Sequence, residues 1–285
     1  MLYADSHLHT NPLHGYGAGR VAKKFKKEGG WFIALVSLPP HHYGFTETSI
    51  DSYRKTLDLL VREAAAAREE GLSVVALAGF HPSEVDEYLR RGLSKKEVYE
   101  LAVKVLDLIT DYIGKGLIHG IGEVGRQHYG TSPERLVLSE TIMIDALELA
   151  CQHSVPVHLH LEQGGWATAF NIAKILGKIS CKSGRVLLHH VNYETGLWSS
   201  MLGLPATLPV KTSLEKILAA PGIRLDRFLV ESDFIDDPKR PGVSAYPWEI
   251  PRFFNEKLER KEVSEEAVFK LNVDNVSRIY GVPPP

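Results

Sequence analysis

Short apolar runs alternate with longer amphipathic segments along the whole chain. The apolar runs are hydrophobic on successive residues, which is typical of strands buried on both faces of a parallel sheet. Eight such strand–helix units predict an α/β fold, a (β/α)8 TIM barrel. The strands are predicted at 2–7, 31–38, 73–79, 117–123, 155–161, 185–190, 201–204 and 227–233, of which the seventh has the weakest pattern.

The amphipathic segments between these runs are predicted to be helices. Residues 133–153 show the signal best, because Pro133 suits the first turn of a helix. A length of 285 residues fits one barrel or two smaller domains. No linker-like stretch or repeat divides the chain, so we expect one barrel domain over 1–285. The helices are predicted at 21–28, 49–70, 95–113, 133–153, 166–176, 213–219, 247–260, 264–271 and 274–280.

Histidines and carboxylates fall at the ends of the predicted strands. In a TIM barrel, the carboxyl ends of the strands carry the chemistry. The first strand leads into His7 and His9, and the fourth ends at Glu123. The fifth, sixth and eighth end in His158/His160, His189/His190 and Asp233. This gathering predicts a functional site at one end of the barrel.

The residue types at these ends favour a metal site. Residues i and i+2 of a strand point to the same side, so His7 and His9 can hold one cation together. Glu123 is placed to bridge two metals, and Asp233 could bind one and orient a water. One of His158 and His160 could instead be a hydrogen-bonded core histidine. We expect one or two divalent ions, zinc or manganese first, with magnesium as a further candidate.

Five ordered motifs resemble the signatures of TatD-like metal-dependent hydrolases, which belong to the amidohydrolase superfamily. The stretch 275–281 is also similar to the closing helix of that family. The motifs are DSHLH at 5–9, GFHP at 79–82, IGEVG at 121–125, PVHLH at 156–160 and VESD at 230–233.

The resemblance implies a ligand set and an activity. His7, His9, Glu123 and Asp233 would bind one metal, and Glu123, His160 and a histidine after the sixth strand the other. Adjacent strand residues face opposite sides, and the family's motif order favours His189, with His190 as the alternative. Asp233 and Glu123 would be catalytic together with His81, a non-ligand histidine near the scissile group. The implied reaction is phosphodiester hydrolysis, including deoxyribonuclease activity.

The chain departs from the family pattern where substrate would bind. Glu162 stands where the family commonly has an arginine, and an acid repels phosphate. Arg126 and Lys211 are therefore the nearest candidates for phosphate recognition by motif position. His81, His128 and Glu162 complete the predicted substrate-binding set with Arg126. The net charge of −2 argues against an extended nucleic-acid surface.

These departures favour a small-molecule ester or phosphodiester, or a short nucleic-acid ester, over long duplex DNA. Amide or lactone hydrolysis is the alternative reaction, and a non-catalytic metal-binding barrel is less favoured.

Other features limit location and cross-linking. Cys151 and Cys181 have no metal-ligand spacing and lie thirty residues apart, so neither a zinc finger nor a disulfide framework is predicted. The first residues do not form a signal peptide, and no run of about 18 apolar residues occurs. We therefore expect a cytoplasmic protein with no membrane contact and no obligate protein partner.

Overall fold

The computed structural model describes residues 1–237 and 244–284, in which parallel strands form one curled sheet. The strand order is β8-β7-β6-β5-β4-β3-β2-β1-β9, so neighbours in sequence are neighbours in space. This confirms the predicted TIM-barrel fold. The strands are β1 (Tyr3–His9), β2 (Gly30–Val36), β3 (Ser73–Ala78), β4 (Gly120–Gly125), β5 (Val157–His160), β6 (Val186–Leu188), β7 (Ala206–Pro209), β8 (Phe228–Glu231) and β9 (Phe234–Ile235).

The last strand of the barrel is interrupted, and its second part closes the sheet. β8 pairs with β7, whereas β9 pairs with β1 through Leu8 and Phe234. Between the two parts lies Asp233, which has a left-handed backbone conformation with φ of 49°. Asp233 therefore lies at the point where the first and last strands meet.

Helices cover the outside of the barrel. Most agree with the predicted ranges to within a few residues, as expected for helix ends. The helices are α1 (Ala18–Lys27), α2 (Ile50–Glu69), α3 (Pro82–Arg90), α4 (Lys95–Gly114), α5 (Pro133–His153), α6 (Trp166–Lys178), α7 (Tyr193–Met201), α8 (Thr212–Ala219), α9 (Glu249–Glu259), α10 (Glu265–Phe269) and α11 (Asn275–Tyr280).

α11 plugs the amino-terminal end of the barrel. Val276, Ile279 and Tyr280 pack in one apolar cluster with inward-facing strand residues such as Phe32 and Leu229. The clusters formed by the helices and the outer faces of the strands are separate from this one. The plug brings the Tyr280 hydroxyl to the underside of the histidines at the other end.

Two irregular registers place functional residues inside the barrel. Asp5 pairs with Ile33 and Leu8 with Leu35, so β1 has one extra residue there. β4 has a similar irregularity between Ile121 and Val124, around Glu123. Such bulges re-aim side chains beside functional sites.

The seventh strand was predicted in the wrong place. Residues 201–204 were expected to be a strand, but β7 is Ala206–Pro209. Met201 ends α7 and is 66% exposed, and Gly203 has a positive φ in the turn that follows. A short apolar run at the end of a helix had been interpreted as a buried strand.

α3 and α7 were not predicted. α3 begins with a capping box. Glu84 Oε2 accepts a hydrogen bond from the His81 backbone N–H, and His81 Nδ1 accepts one from the Ser83 backbone N–H. Pro82 occupies the first turn. α7 begins at Asn192, whose side chain accepts a hydrogen bond from the Thr195 N–H. Histidine is an unusual N-cap residue, so the residues before α3 carry no clear signal for the start of a helix.

The two cysteines form a disulfide, contrary to the expectation from their spacing. Cys151 lies in the last turn of α5 and Cys181 follows α6, with their Cα atoms 5.7 Å apart. Both positions precede the neighbouring strands β5 and β6, so the fold brings together two residues that are distant in sequence.

Across residues 1–237 and 244–284, no helix combines the length and the apolar character needed to cross a membrane.

Candidate metal centre

The predicted ligands meet at the carboxyl ends of the strands. His7 and His9 come from β1, Glu123 from β4 and His160 from β5. All four are buried, between 0% and 7% exposed. His189 directly follows β6, and the Asp233 side chain is 22% exposed beside it. The cluster is closed on the barrel side and open where Asp233 lies.

Glu123 is the hub of this cluster. Its Oε1 lies 2.9 Å from His189 Nε2, 3.2 Å from His7 Nε2 and 3.5 Å from His160 Nδ1. Its Oε2 lies 3.2 Å from His81 Nε2. Burial alone would raise the pKa of Glu123, but the neighbouring rings of His81, His160 and His189 hold it well below its usual range. The carboxylate is therefore ionised and surrounded by imidazoles.

A buried hydrogen-bond chain sets the proton position of His7. The Tyr280 hydroxyl donates to the Ser6 carbonyl at 3.1 Å, so its oxygen accepts from His158 Nε2 at 2.8 Å. His158 Nδ1 is then the acceptor for His7 Nδ1, 2.7 Å away. A neutral His7 carries its proton on Nδ1, and Nε2 presents a lone pair to the centre.

His9 is fixed in the same sense by the backbone. Its Nδ1 lies 3.0 Å from the Val36 carbonyl, which can only accept, so Nδ1 carries the proton. His9 Nε2 therefore presents a lone pair 3.2 Å from His7 Nε2 and 3.9 Å from Asp233 Oδ1. Burial lowers the pKa of both imidazoles, which keeps them neutral.

His189 is oriented by a buried carboxylate. Its Nδ1 donates to Glu231 Oε2 at 2.7 Å, and its Nε2 faces Glu123 and, at 3.6 Å, Asp233 Oδ1. Burial alone would lower the pKa of His189, but Glu231 and Glu123 outweigh it and raise the pKa well above its usual range. A carboxylate behind the ring raises the basicity of a metal-ligating imidazole.

The donor set fits a divalent cation. Lone pairs of His7 and His9 face each other beside the ionised Glu123, an arrangement that repels itself unless positive charge lies between the groups. His160 adds two buried ring nitrogens without a hydrogen-bond partner among the described residues. The pKa of Asp233 is raised to about 7, chiefly by burial. His189 opposes this rise, and the Glu231 and Glu123 charges contribute to it. Imidazole and carboxylate together suit zinc and manganese.

His81 is oriented with the opposite proton position to His7 and His9. Its Nδ1 accepts from the Ser83 backbone N–H at 3.1 Å, so a neutral His81 carries its proton on Nε2. That nitrogen points at Glu123 Oε2, so it donates where His7 and His9 present lone pairs. The geometry separates a donor histidine from the ligand histidines.

The chain matches the model of the family described as TatD related DNase over residues 4–281. The chain belongs to this family. It is therefore a metal-dependent hydrolase of the TatD family, and hydrolysis of an ester bond fits the fold and the centre together.

Two curated relatives come from Methanocaldococcus jannaschii. An uncharacterized protein is 29% identical, covering 97% of this chain and 94% of the relative. An uncharacterized metal-dependent hydrolase is 27% identical, covering 68% and 67% of the two chains.

Solved structures share the fold of this TatD-family chain. The TatD homolog YJJV from Escherichia coli superposes with a TM-score of 0.66 at 17% identity, covering 99% of this chain and 98% of that one. A triple mutant of the organophosphorus hydrolase from Deinococcus radiodurans gives a TM-score of 0.63 at 14% identity, with coverage of 98% and 92%.

Two residues predicted to bind substrate contact each other in this TatD-family protein. Arg126 makes a bidentate pair with Glu162, with Nε–Oε2 and Nη2–Oε1 distances of 2.9 and 2.7 Å. Its Nη1 also donates to Asn171 Oδ1 at 2.5 Å. Arg126 is only 4% exposed. Its positive charge, which the sequence favoured for phosphate recognition, is therefore already paired with Glu162.

His128 and His190 lie beside the hub rather than in it. His190 follows His189 and has a left-handed backbone with φ of 44°. His128, His160 and His190 each offer one ring nitrogen, and these three nitrogens lie within 4.8 Å of one another. His128 is exposed on the loop after β4.

Sequence reasoning missed the residues that orient the ligands. His158 is the hydrogen-bonded core histidine of the His158/His160 pair, and Tyr280 and Glu231 complete the supporting set. Glu231 had a usable signal, because an acid at the end of an apolar strand needs a partner. Tyr280 had none, since only the folded plug brings it to His158.

Proposed function

We propose that His7, His9, Glu123, His160, His189 and Asp233 hold one or two divalent cations, zinc or manganese first and magnesium as a further candidate. The proposed substrate is a small phosphodiester or another small ester. The observation that carries the proposal is the pair of opposed lone pairs on His7 and His9 beside the ionised Glu123.

The ligands divide into two sets that share Glu123. As the family resemblance implies, His7, His9 and Asp233 would form one set, and His160 and His189 the other; His189 Nε2 also lies 3.6 Å from Asp233 Oδ1 and so adjoins both sets. A bound divalent cation polarises the phosphoryl or carbonyl oxygen and lowers the pKa of water.

Asp233 is the proposed proton acceptor. Its carboxylate is the most exposed of the set and lies at the open side of the cluster, where water and substrate enter. Ser244 donates to its Oδ2 at 3.2 Å, while Oδ1 faces His9 and His189. This fixed carboxylate orients the attacking water and takes its proton.

His81 is the proposed proton donor. Its backbone and Nδ1 are held by the capping box of α3, and the neutral ring keeps its proton on Nε2. That N–H is directed into the cluster, where it can donate to a substrate oxygen. This assignment makes His81 catalytic without making it a ligand.

The polar groups at the mouth favour a small substrate. Arg126 is neutralised by Glu162 and buried, so it adds no free positive charge for a phosphate backbone. Duplex DNA binding draws most of its affinity from neutralised phosphates. The organophosphorus hydrolase named above offers a parallel for a small phosphoester on this fold. His128 and Glu162 would then contact the substrate from the rim, while the buried Arg126 holds Glu162 in place.

The decisive experiment links metal content to turnover. Purified protein is stripped, reloaded with zinc or manganese, and tested on phosphodiester, phosphomonoester, lactone and amide substrates. The His7→Ala/His9→Ala variant should lose metal by elemental analysis and lose ester hydrolysis. His153→Ala, which removes a histidine from the last turn of α5, is the matched control and should keep both. Full metal content in the double variant would overturn the assignment.

A further inference from the structure

Three histidines form a second cluster beside the metal centre. The ring centroids of His128 and His160 are 4.5 Å apart, those of His160 and His190 are 4.6 Å apart, and those of His128 and His190 are 5.2 Å apart. One nitrogen of each ring lies within 4.8 Å of one nitrogen of the other two. We call His128, His160 and His190 the histidine triad.

The triad contains buried nitrogens with nothing to bind. Both ring nitrogens of His160, which is 7% exposed, lack a hydrogen-bond partner among the described residues. The same is true of His190 Nε2 within that part of the chain. The Gln163 amide nitrogen lies 3.4 Å from His190 Nδ1, at the long limit of a hydrogen bond, so it does not lock the ring. Because His160 is already assigned to the centre around Glu123, the unpartnered His190 Nε2 is the atom that indicates a further ligand.

The backbone turns His190 toward this cluster. In a regular strand, His190 would face away from His189, toward the helices. Its left-handed φ of 44° breaks that alternation directly after β6. A non-glycine residue in this region is uncommon and points to a local requirement.

We propose that the histidine triad is a second cation site, which shares His160 with the centre around Glu123 and is specific for borderline transition metals such as zinc, cobalt or nickel. Three neutral imidazoles without a carboxylate suit these ions, whereas magnesium and calcium need oxygen ligands. A tetrahedral zinc site holds its nitrogens about 3.4 Å apart, so nitrogens up to 4.8 Å apart must approach by as much as about 1.4 Å. His128 can make that movement because it is exposed on the loop after β4.

The triad shares one ligand with the centre built around Glu123. His160 Nδ1 lies 3.5 Å from Glu123, and a neutral imidazole has a single lone pair to give. An ion in the triad therefore withdraws His160 from the cation that the centre around Glu123 would hold. If the proposed function holds, excess zinc lowers the turnover of manganese-loaded enzyme through this exchange.

Cobalt binding tests the triad, because tetrahedral cobalt absorbs visible light. Wild-type protein is titrated with Co²⁺ in the presence of millimolar Mg²⁺, and the spectrum and stoichiometry are recorded. The His128→Ala and His190→Ala variants should each lose one class of bound cobalt, with affinity reduced by at least about tenfold. His153→Ala should match the wild type. Because His128 is exposed, thermal unfolding of its variant should also match.

The His7→Ala/His9→Ala variant separates this proposal from the proposed function. It keeps the triad, so it should retain the cobalt class that His128→Ala loses. Wild-type spectra and stoichiometry in both His128→Ala and His190→Ala would overturn the triad while leaving the centre around Glu123 standing.

Discussion

His7 and His9 are two residues apart on β1, yet their proton positions are set by different parts of the molecule. His9 depends on the Val36 carbonyl of the neighbouring strand, and His7 on a chain through His158 to Tyr280. The His-x-His motif alone therefore does not determine which ring nitrogen is free to bind a cation. Groups that never touch the cation decide which nitrogen is free.

Removing the Tyr280 hydroxyl should weaken metal binding. Tyr280→Phe leaves His158 Nε2 without its acceptor, so His158 and then His7 lose their fixed proton positions. We expect zinc affinity to fall about ten- to a hundredfold in a chelator competition assay. Tyr112→Phe is the control, because that hydroxyl donates to Asp58 on the outer helices. Equal affinity in the two variants would show that the chain does not govern His7.

Manganese content should distinguish His189 from His190. Manganese prefers sites that include carboxylates, and His189 Nε2 lies 2.9 Å from Glu123 and 3.6 Å from Asp233. His189→Ala should lose a large part of the bound manganese, while His190→Ala should retain it. Elemental analysis after desalting measures both, and the reverse order would mean that His190 is the ligand.

At the scale of elements, the sequence predicted the strands that carry ligands better than their exact geometry. Continuous apolar runs are a strong signal for buried parallel strands, and five of these end in the ligand residues that meet at the centre. The bulges around Ser6 and Glu123 left no such signal, because an extra residue changes the register without changing composition.

The errors have a common physical origin. β7 is short, and the apolar run before it belongs to the end of α7. The Arg126–Glu162 pair joins the ends of β4 and β5 and could not be foreseen from two separate loops. Contacts between distant segments follow from the closed barrel, and local patterns do not contain them.

The Cys151–Cys181 disulfide should stabilise the fold without affecting the metal. It closes a loop with a sequence separation of 30 residues, for which the chain-entropy account gives roughly 3–4 kcal/mol. Cys151→Ser/Cys181→Ser should lower the free energy of unfolding in urea by about that amount, with unchanged metal content. Wild-type protein under reducing conditions should show a similar loss. A change below about 1 kcal/mol would show that the loop is already constrained in the unfolded chain.

At the scale of the whole molecule, charge limits the choice of substrate. The chain has 33 basic and 35 acidic residues, and Arg126, an arginine predicted to recognise phosphate, is paired with Glu162. This surface provides little of the phosphate neutralisation that long nucleic acids require. That one domain spans 1–285 stays a prediction.

A small substrate should be preferred over duplex DNA. We expect kcat/KM for a small chromogenic phosphodiester to exceed that for a duplex oligomer, at the same metal and fixed salt. A hundredfold preference corresponds to about 2.7 kcal/mol of differential transition-state stabilisation. If the oligomer is preferred by that factor, Glu162 is no obstacle and the deoxyribonuclease reaction is the main one.

The interrupted last strand has a consequence for biosynthesis. His7 and His9 leave the ribosome first among the ligands, and Asp233 emerges last, more than 220 residues after His9. The two ends are joined only when Phe234 and Ile235 pair with Leu8 and His9. A nascent chain therefore has its first two ligands exposed but not assembled, and we expect high-affinity metal loading to wait until Asp233 has emerged.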